Sequence, residues 1–236
     1  MSAGPCLAFA CAHLTDERLY AAQLAAFEAD FDCRVFVFRE HDSLAGMAEA
    51  LLASTPPRFT LIGLSMGGYV AFEVIRRQAQ RIDRLALLDT TAFADAPARR
   101  AGRLADIAKV RAGGIDALIP ELPARWLLPV HAQRTDLVML MAEMARSIGA
   151  SGQFNQQTAM LARPDSHDDL ATLRAPTLLM CGRQDPVTPP ADHEAMAACV
   201  PGCRLEMIDD CGHLSTLEQP RAVNGVLASW LGLTSR

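Results

Sequence analysis

Residues 59–75 constrain the fold more than any other stretch of this chain. A strand-like run, Phe59-Thr60-Leu61-Ile62, leads straight into Gly63-Leu64-Ser65-Met66-Gly67, and a helix-like run, Gly68-Tyr69-Val70-Ala71-Phe72-Glu73-Val74-Ile75, follows. Gly-x-Ser-x-Gly between a strand and a helix is the sharp elbow that presents a serine as a nucleophile. The two glycines lack the side chains that would clash in so tight a turn. Ser65 is therefore expected in a strained, exposed position with its hydroxyl in a cleft. The helix start behind it offers free amide N–H groups and the positive end of a dipole. The bland alternative is a tight turn with an idle serine. It is weighed by whether a base and an acid follow.

The rest of the chain is built for one α/β core. It has 236 residues, half of them hydrophobic, enough for a single substantial domain. Short apolar runs at residues 6–10, 34–38, 59–64, 85–88, 177–181 and 204–208 alternate with helical patterns at 20–27, 44–53, 66–77, 190–199 and 220–231. That alternation predicts an α/β fold, a mostly parallel sheet with helices on both faces. Ser43 suits an N-cap for the helix at 44–53, and Pro56-Pro57 closes that region. From residue 93 to 173 no strand pattern is convincing. Gly113-Gly114, Pro120, Pro123, Pro129 and Gly149 break this stretch into helical pieces. A loop that long would be improbable, so residues 93–173 are expected to form a helical cap inserted within a single 1–236 domain.

Composition excludes several classes of partner. The net charge of −5 is spread without long runs, and no basic face for nucleic acid is visible. No stretch approaches the ~18 consecutive apolar residues of a membrane span. The start, Met1-Ser2-Ala3-Gly4-Pro5, has no basic region before an apolar one, so no signal peptide is expected. Seven cysteines form no Cys-x-x-Cys pair and no metal-like spacing with histidine. They predict reduced thiols, mostly buried, and a cytoplasmic location. The oligomeric state stays open.

A serine hydroxyl needs a base within hydrogen-bond reach and a carboxylate to orient that base. Two late motifs fit. Gly182-Arg183-Gln184-Asp185-Pro186-Val187-Thr188-Pro189 follows one predicted strand, and Asp210-Cys211-Gly212-His213-Leu214 follows the last. Functional groups of an open parallel sheet gather beyond the carboxyl ends of its strands. Ser65, Asp185 and His213 all sit there. Asp89, ending the run at 85–88, is the rival orienting acid. His41 also follows a strand and is a candidate for lining the cleft. His131, His167 and His193 are expected to be solvated. Cys211 stands two residues before His213, which suggests sensitivity to thiol reagents.

On these motifs and their order, serine then aspartate then histidine, the chain resembles the α/β-hydrolase superfamily over nearly its whole length, and within it the small capped esterases. The segment Leu14-Thr15-Asp16-Glu17-Arg18-Leu19-Tyr20 resembles the family's first loop and helix. Only residues 1–5 precede the first core strand, so the family's leading antiparallel strands are expected to be trimmed. Many members carry His-Gly where this chain has Cys11-Ala12. The resemblance implies an oxyanion hole made by the backbone N–H groups of Met66 and His13. Ala12 adopts positive φ less cheaply than glycine, which puts the second donor in question.

The resemblance implies hydrolysis of a carboxylic ester through an acyl-enzyme, with Ser65, His213 and Asp185 as catalytic residues and no metal or organic cofactor. The partner is a small-molecule ester, of small or medium acyl group. Trp126-Leu127-Leu128 and the Met139, Met141 and Met144 group offer apolar surface to it. Arg163, with Asp165 and Ser166, is expected either in a salt bridge or against a polar substrate group. Lactones, enol-lactones, thioesters and carbon–carbon bonds of diketones suit the same triad. A hydrolase fold kept only as a binding protein is the alternative from another class.

Overall fold

The computed structural model describes residues 4–233. The leading segment read as lacking an export signal begins outside that range, at residues 1–3. All six apolar runs form strands: β1 (Cys6–Ala10), β2 (Asp32–Phe36), β3 (Phe59–Leu64), β4 (Ile82–Leu88), β5 (Thr177–Gly182) and β6 (Arg204–Ile208). They pair in parallel in the order β2-β1-β3-β4-β5-β6. Three of the central strands, β1, β3 and β5, are buried along their whole length. That is why they read as unbroken apolar runs, since a parallel sheet is covered on both faces.

The helices are α1 (Ala21–Phe27), α2 (Leu44–Ala53), α3 (Met66–Gln78), α4 (Pro97–Gly113), α5 (Leu122–Trp126), α6 (Thr135–Leu161), α7 (His167–Thr172), α8 (Pro190–Cys199), α9 (Ser215–Glu218) and α10 (Pro220–Leu231). Alternate strand residues feed two cores. Ala8, Leu61, Leu85 and Leu179 pack with α2, α3, α7 and α8. Leu7, Phe9, Ile62, Leu88 and Met180 pack on the other face with α1 and α10, and with side chains of α4, α5 and α6. Residues 93–173 contain helices and turns but no strand. Within them α6 breaks at Gly149, whose φ of 70° is cheap only for glycine. The last piece, α7, packs beside α3 and α8 in the layer against the sheet.

Three strands differ from the sequence reading at their ends: β5 runs one residue further, to Gly182, and β2 begins two residues earlier, at Asp32. β2 ends at Phe36, because its partner β1 ends at Ala10 opposite it. Val37 and Phe38 prolong the apolar run beyond the partner. β4 begins three residues earlier than its apolar run, at Ile82, which pairs with Phe59. Asp83 and Arg84 hide that start from an apolar count.

The elbow depends on glycine where backbones touch. A Cβ on Gly67 would lie 2.0 Å from the Ala10 carbonyl oxygen, and one on Gly63 would lie 2.5 Å from that of Gly67. Neither neighbour is a flexible side chain that can move aside. Gly67→Ala is therefore expected to cost about 3 kcal/mol. Gly225→Ala, exposed in α10 with nothing within 4 Å of its new carbon, should gain about 0.5–1 kcal/mol from helix propensity. Urea unfolding of both variants checks the contrast.

Candidate active site

Ser65 follows β3 and stands at the N-cap position of α3 with φ 52° and ψ −110°, a left-handed φ that is uncommon for a side chain-bearing residue. Two contacts hold it there. Its N–H donates to the Leu88 carbonyl at 3.0 Å, and the Thr90 hydroxyl donates to its carbonyl at 2.8 Å. The expected exposure is corrected: Ser65 is 9% exposed. It sits in a cavity of about 60 Å³, walled by Ala12, His13, Tyr69, Arg103, Trp126 and others. Side chains of α4 to α6 lie over the elbow and remove it from bulk water.

The two loops beyond β5 and β6 bring Asp185 and His213 to Ser65. His213 Nε2 is 2.9 Å from Ser65 Oγ, and its Nδ1 is 2.8 Å from Asp185 Oδ2. Asp185 is fixed in turn. Its Oδ1 accepts from the Val187 N–H at 2.7 Å and the Thr188 N–H at 3.0 Å, and its Oδ2 accepts from the Thr188 hydroxyl at 2.7 Å. Burial disfavours the His213 imidazolium, but the Asp185 carboxylate outweighs it and raises the pKa above 6.5. Burial also opposes the Asp185 charge. His213 and the Thr188 donors overcome it and hold that carboxyl below its ordinary range.

Asp89, the rival acid, does not reach His213. Its Oδ1 accepts from the Gly182 N–H at 2.9 Å, and its Oδ2 from the Ser215 N–H at 3.1 Å and from the Ser215 hydroxyl. It ties the end of β5 to the loop carrying His213. Burial, and then the Asp185 charge, push its pKa up to about 7. Cys181 gathers with Asp89 and Asp185 within 4.8 Å. Burial pushes its thiol up, and both carboxylates already hold hydrogen bonds, so the trio reads as a packed polar cluster.

His13 lies opposite. Its N–H and that of Met66 make no hydrogen bond among the described residues. Met66 opens α3, where helix amides lack internal partners. The doubt over Ala12 is corrected, because the positive φ falls on Leu14, at 55°, and not on Ala12. A chain of side chains holds this corner. Gln156 Oε1 accepts from the Leu14 N–H at 2.9 Å and lies 2.8 Å from His13 Nδ1, and Gln156 Nε2 donates to the Phe38 carbonyl at 2.8 Å. Gln156 Oε1 can only accept, so His13 carries its proton on Nδ1, and Nε2 receives Gln157 Nε2 at 3.3 Å. Burial, reinforced by the Arg103 charge, lowers the His13 pKa to about 3, so the ring stays neutral.

Other candidates fall elsewhere. Trp126 lines the cavity, and its carbonyl accepts from the His213 N–H at 2.7 Å. His41 does not line it. It follows β2, the outer strand of the sheet, and rests against Gly46 at the start of α2. His193 is corrected from solvated to fully buried: its Nε2 accepts from the Thr90 N–H at 3.2 Å, behind the threonine that holds Ser65. His131 is also held, its Nδ1 2.8 Å from Glu218 Oε2. His167 pairs with Asp165 at 2.7 Å and is mostly shielded. Met141 and Met144 pack in the core and Met139 is exposed; Met160 is the methionine at the cavity. Arg163 forms the salt bridge, with Asp95 at 2.7 Å, and stacks over Tyr69 at 4.1 Å. Asp165 and Ser166 bond His167 and Arg76 instead. Cys211 is fully buried with its thiol pushed up by burial, which removes the expected route for thiol reagents.

Sequence reasoning missed Gln156, Gln157 and Glu218. The glutamines at 153, 156 and 157 repeat on one helix face, a polar stripe that signals buried partners. Glu218 accepts from the Leu128 N–H at 2.8 Å and the Leu214 N–H at 3.2 Å. It joins the segment after α5 to the His213 loop, a link no local pattern announces.

The model of the alpha/beta hydrolase family matches residues 6–226. This chain belongs to the alpha/beta hydrolase family. Among curated relatives, 3-oxoadipate enol-lactonase 1 of Acinetobacter baylyi is 27% identical over 92% of this chain and 84% of its own. The pimeloyl-acyl-carrier-protein methyl ester esterase of Aromatoleum aromaticum is 30% identical over 75% of this chain and 76% of its own. A malate-bound thermophilic esterase from Thermogutta terrifontis superposes with a TM-score of 0.87 at 28% identity, over 98% of this chain and 90% of its own. The protein is thus a hydrolase of this fold. No helix among the described residues is long and apolar enough to cross a membrane.

Proposed function

We propose that the protein hydrolyses a carboxylic ester through a Ser65 acyl-enzyme. The observation that carries this reading is the unbroken line Ser65 Oγ, His213 Nε2, His213 Nδ1, Asp185 Oδ2, with contacts of 2.9 Å and 2.8 Å. His213 takes the Ser65 proton as Oγ attacks the ester carbonyl. Asp185 holds the proton on Nδ1 and stabilises the imidazolium. The Met66 and His13 N–H groups receive the oxyanion, each worth about 2.7–4 kcal/mol in the chemical step. His213 then protonates the leaving alcohol. Water enters, His213 removes its proton, and the acid leaves as Ser65 regains its hydrogen.

We take α4, α5 and α6 as the cap that selects the substrate, and the small cavity favours a small or medium acyl group. The lactonase relative gives a cyclic ester as the second reading; it needs the same steps, with the leaving oxygen still tethered to the acyl chain. The seven unpaired cysteines support a reducing, cytoplasmic setting. A panel of p-nitrophenyl acyl esters, thioesters and lactones tests the reading. Saturable turnover of esters or lactones is expected. A folded sample that turns over none of them contradicts it.

A further inference from the structure

We propose that the cavity before Ser65 selects esters that carry a carboxylate, with Arg103 and Arg99 reading the charge. This rests on the ester-hydrolase reading and adds the substrate class.

The chain as a whole is acidic, at −5, yet three arginines, Arg99, Arg103 and Arg125, meet beside this site. Arg99 and Arg103 are four residues apart on α4 and share a face. Arg103 lines the Ser65 cavity. It also lines an adjoining vestibule of about 250 Å³, together with Arg99, Arg125, His13 and Trp126. Two like charges on one helix face weaken a helix slightly.

Carboxylates do not balance them. Arg125 is matched, by Asp106 and Glu121. Asp95, in contrast, serves two guanidiniums at once: Arg103 Nε at 2.5 Å and Arg163 Nη2 at 2.7 Å. Arg99 has no carboxylate partner among the described residues. Its Nη2 donates to the Val187 carbonyl, in the loop of Asp185. Asp185 is committed to His213 and its own loop. Arg99, Arg103 and Arg163 therefore have one carboxylate partner between them among the described residues, Asp95.

Arg103 also keeps a donor in reserve. Nη1 is occupied by Gln157 Oε1 at 3.1 Å, but Nη2 makes only a 3.4 Å contact with Asp95. Each terminal nitrogen carries two hydrogens, so Nη2 has one to spare on a side chain that lines the cavity. An uncompensated guanidinium at a partly buried site is costly until an anion meets it. A substrate carboxylate makes the short, charge-assisted contact that a neutral acyl chain cannot. The surrounding excess of positive charge also draws anions to the mouth. Tyr69, Met160, Val187 and Leu214 supply the apolar wall between that charge and Ser65.

The test compares mono-p-nitrophenyl adipate with p-nitrophenyl hexanoate, which share chain length and leaving group. At low salt the wild type is expected to favour the adipate ester in kcat/KM by about tenfold or more, with the preference shrinking as sodium chloride rises. Arg99→Gln and Arg103→Glu should each collapse that ratio. Arg103 also holds Asp95 and Gln157, so Arg99→Gln and the salt series carry the test if the Arg103 variant does not fold. Equal or weaker use of the adipate ester, with hydrolysis of both esters lost in Ser65→Ala, overturns the selectivity and leaves the hydrolase reading standing. Absence of Ser65-dependent hydrolysis of either ester overturns the reading beneath it.

Discussion

Ser65→Ala is expected to lower kcat on p-nitrophenyl esters by about 10⁶-fold. Among the described residues Oγ is the one hydrogen-bond partner of His213 Nε2, so its loss removes both the attacking atom and the proton that His213 transfers. What survives is binding and whatever the Met66 and His13 amides give to a water attack, about 10³–10⁴ over the uncatalysed rate. The variant should stay folded. Its backbone strain at φ 52° is the same for alanine as for serine, and no structural partner depends on Oγ. Steady-state kinetics with a thermal melt on the same sample checks both halves. Near-wild-type turnover, with the fold intact, would contradict the mechanism.

Asp185→Asn should cost about 10⁴-fold in kcat, for a reason specific to this loop. Asp185 accepts from two backbone amides through Oδ1. An asparagine must keep its oxygen there, which turns its NH₂ toward His213 Nδ1. Nδ1 then has to accept, the proton moves to Nε2, and the imidazole faces Ser65 with a hydrogen instead of a lone pair. The pH profile should move as well. His213 acts only when neutral, so activity falls as pH drops through its pKa. In the wild type burial works against the charge, but Asp185 and Asp89 raise that pKa above 6.5. Without the Asp185 charge burial gains ground, and the acid limb shifts to lower pH. A pH–rate series on both proteins measures it; an unmoved limb would show that Asp185 does not set the base.

The parts of the fold that were legible in the sequence share one property: their signal is local. Central strands buried on both faces become apolar runs, so Cys6–Ala10 and Phe59–Leu64 stand out with correct ends. The elbow glycines, and the aspartate and histidine just past strand ends, are likewise local marks, and the fold brings those three side chains into one hydrogen-bonded line. What escaped depends on distant pairs. His41 has the same local setting as a site residue but follows the outer strand. His193 looks like a surface helix residue, yet the Thr90 amide 103 positions away buries it. Gln156 acts across 143 positions on His13. The pairing of Asp95 with Arg103 and Arg163 leaves Arg99 without an anion, a balance visible only once the helices are in place.

The most direct measurement of the central claim is covalent capture. A fluorophosphonate probe reacts with a serine only when a neighbouring base removes its proton and oxyanion donors await the product. Intact-mass and peptide analysis should show one adduct, on Ser65, formed rapidly by the wild type, slowed by orders of magnitude in His213→Ala and absent in Ser65→Ala. A folded protein that takes no label, or takes it on another residue with Ser65 untouched, would contradict the account.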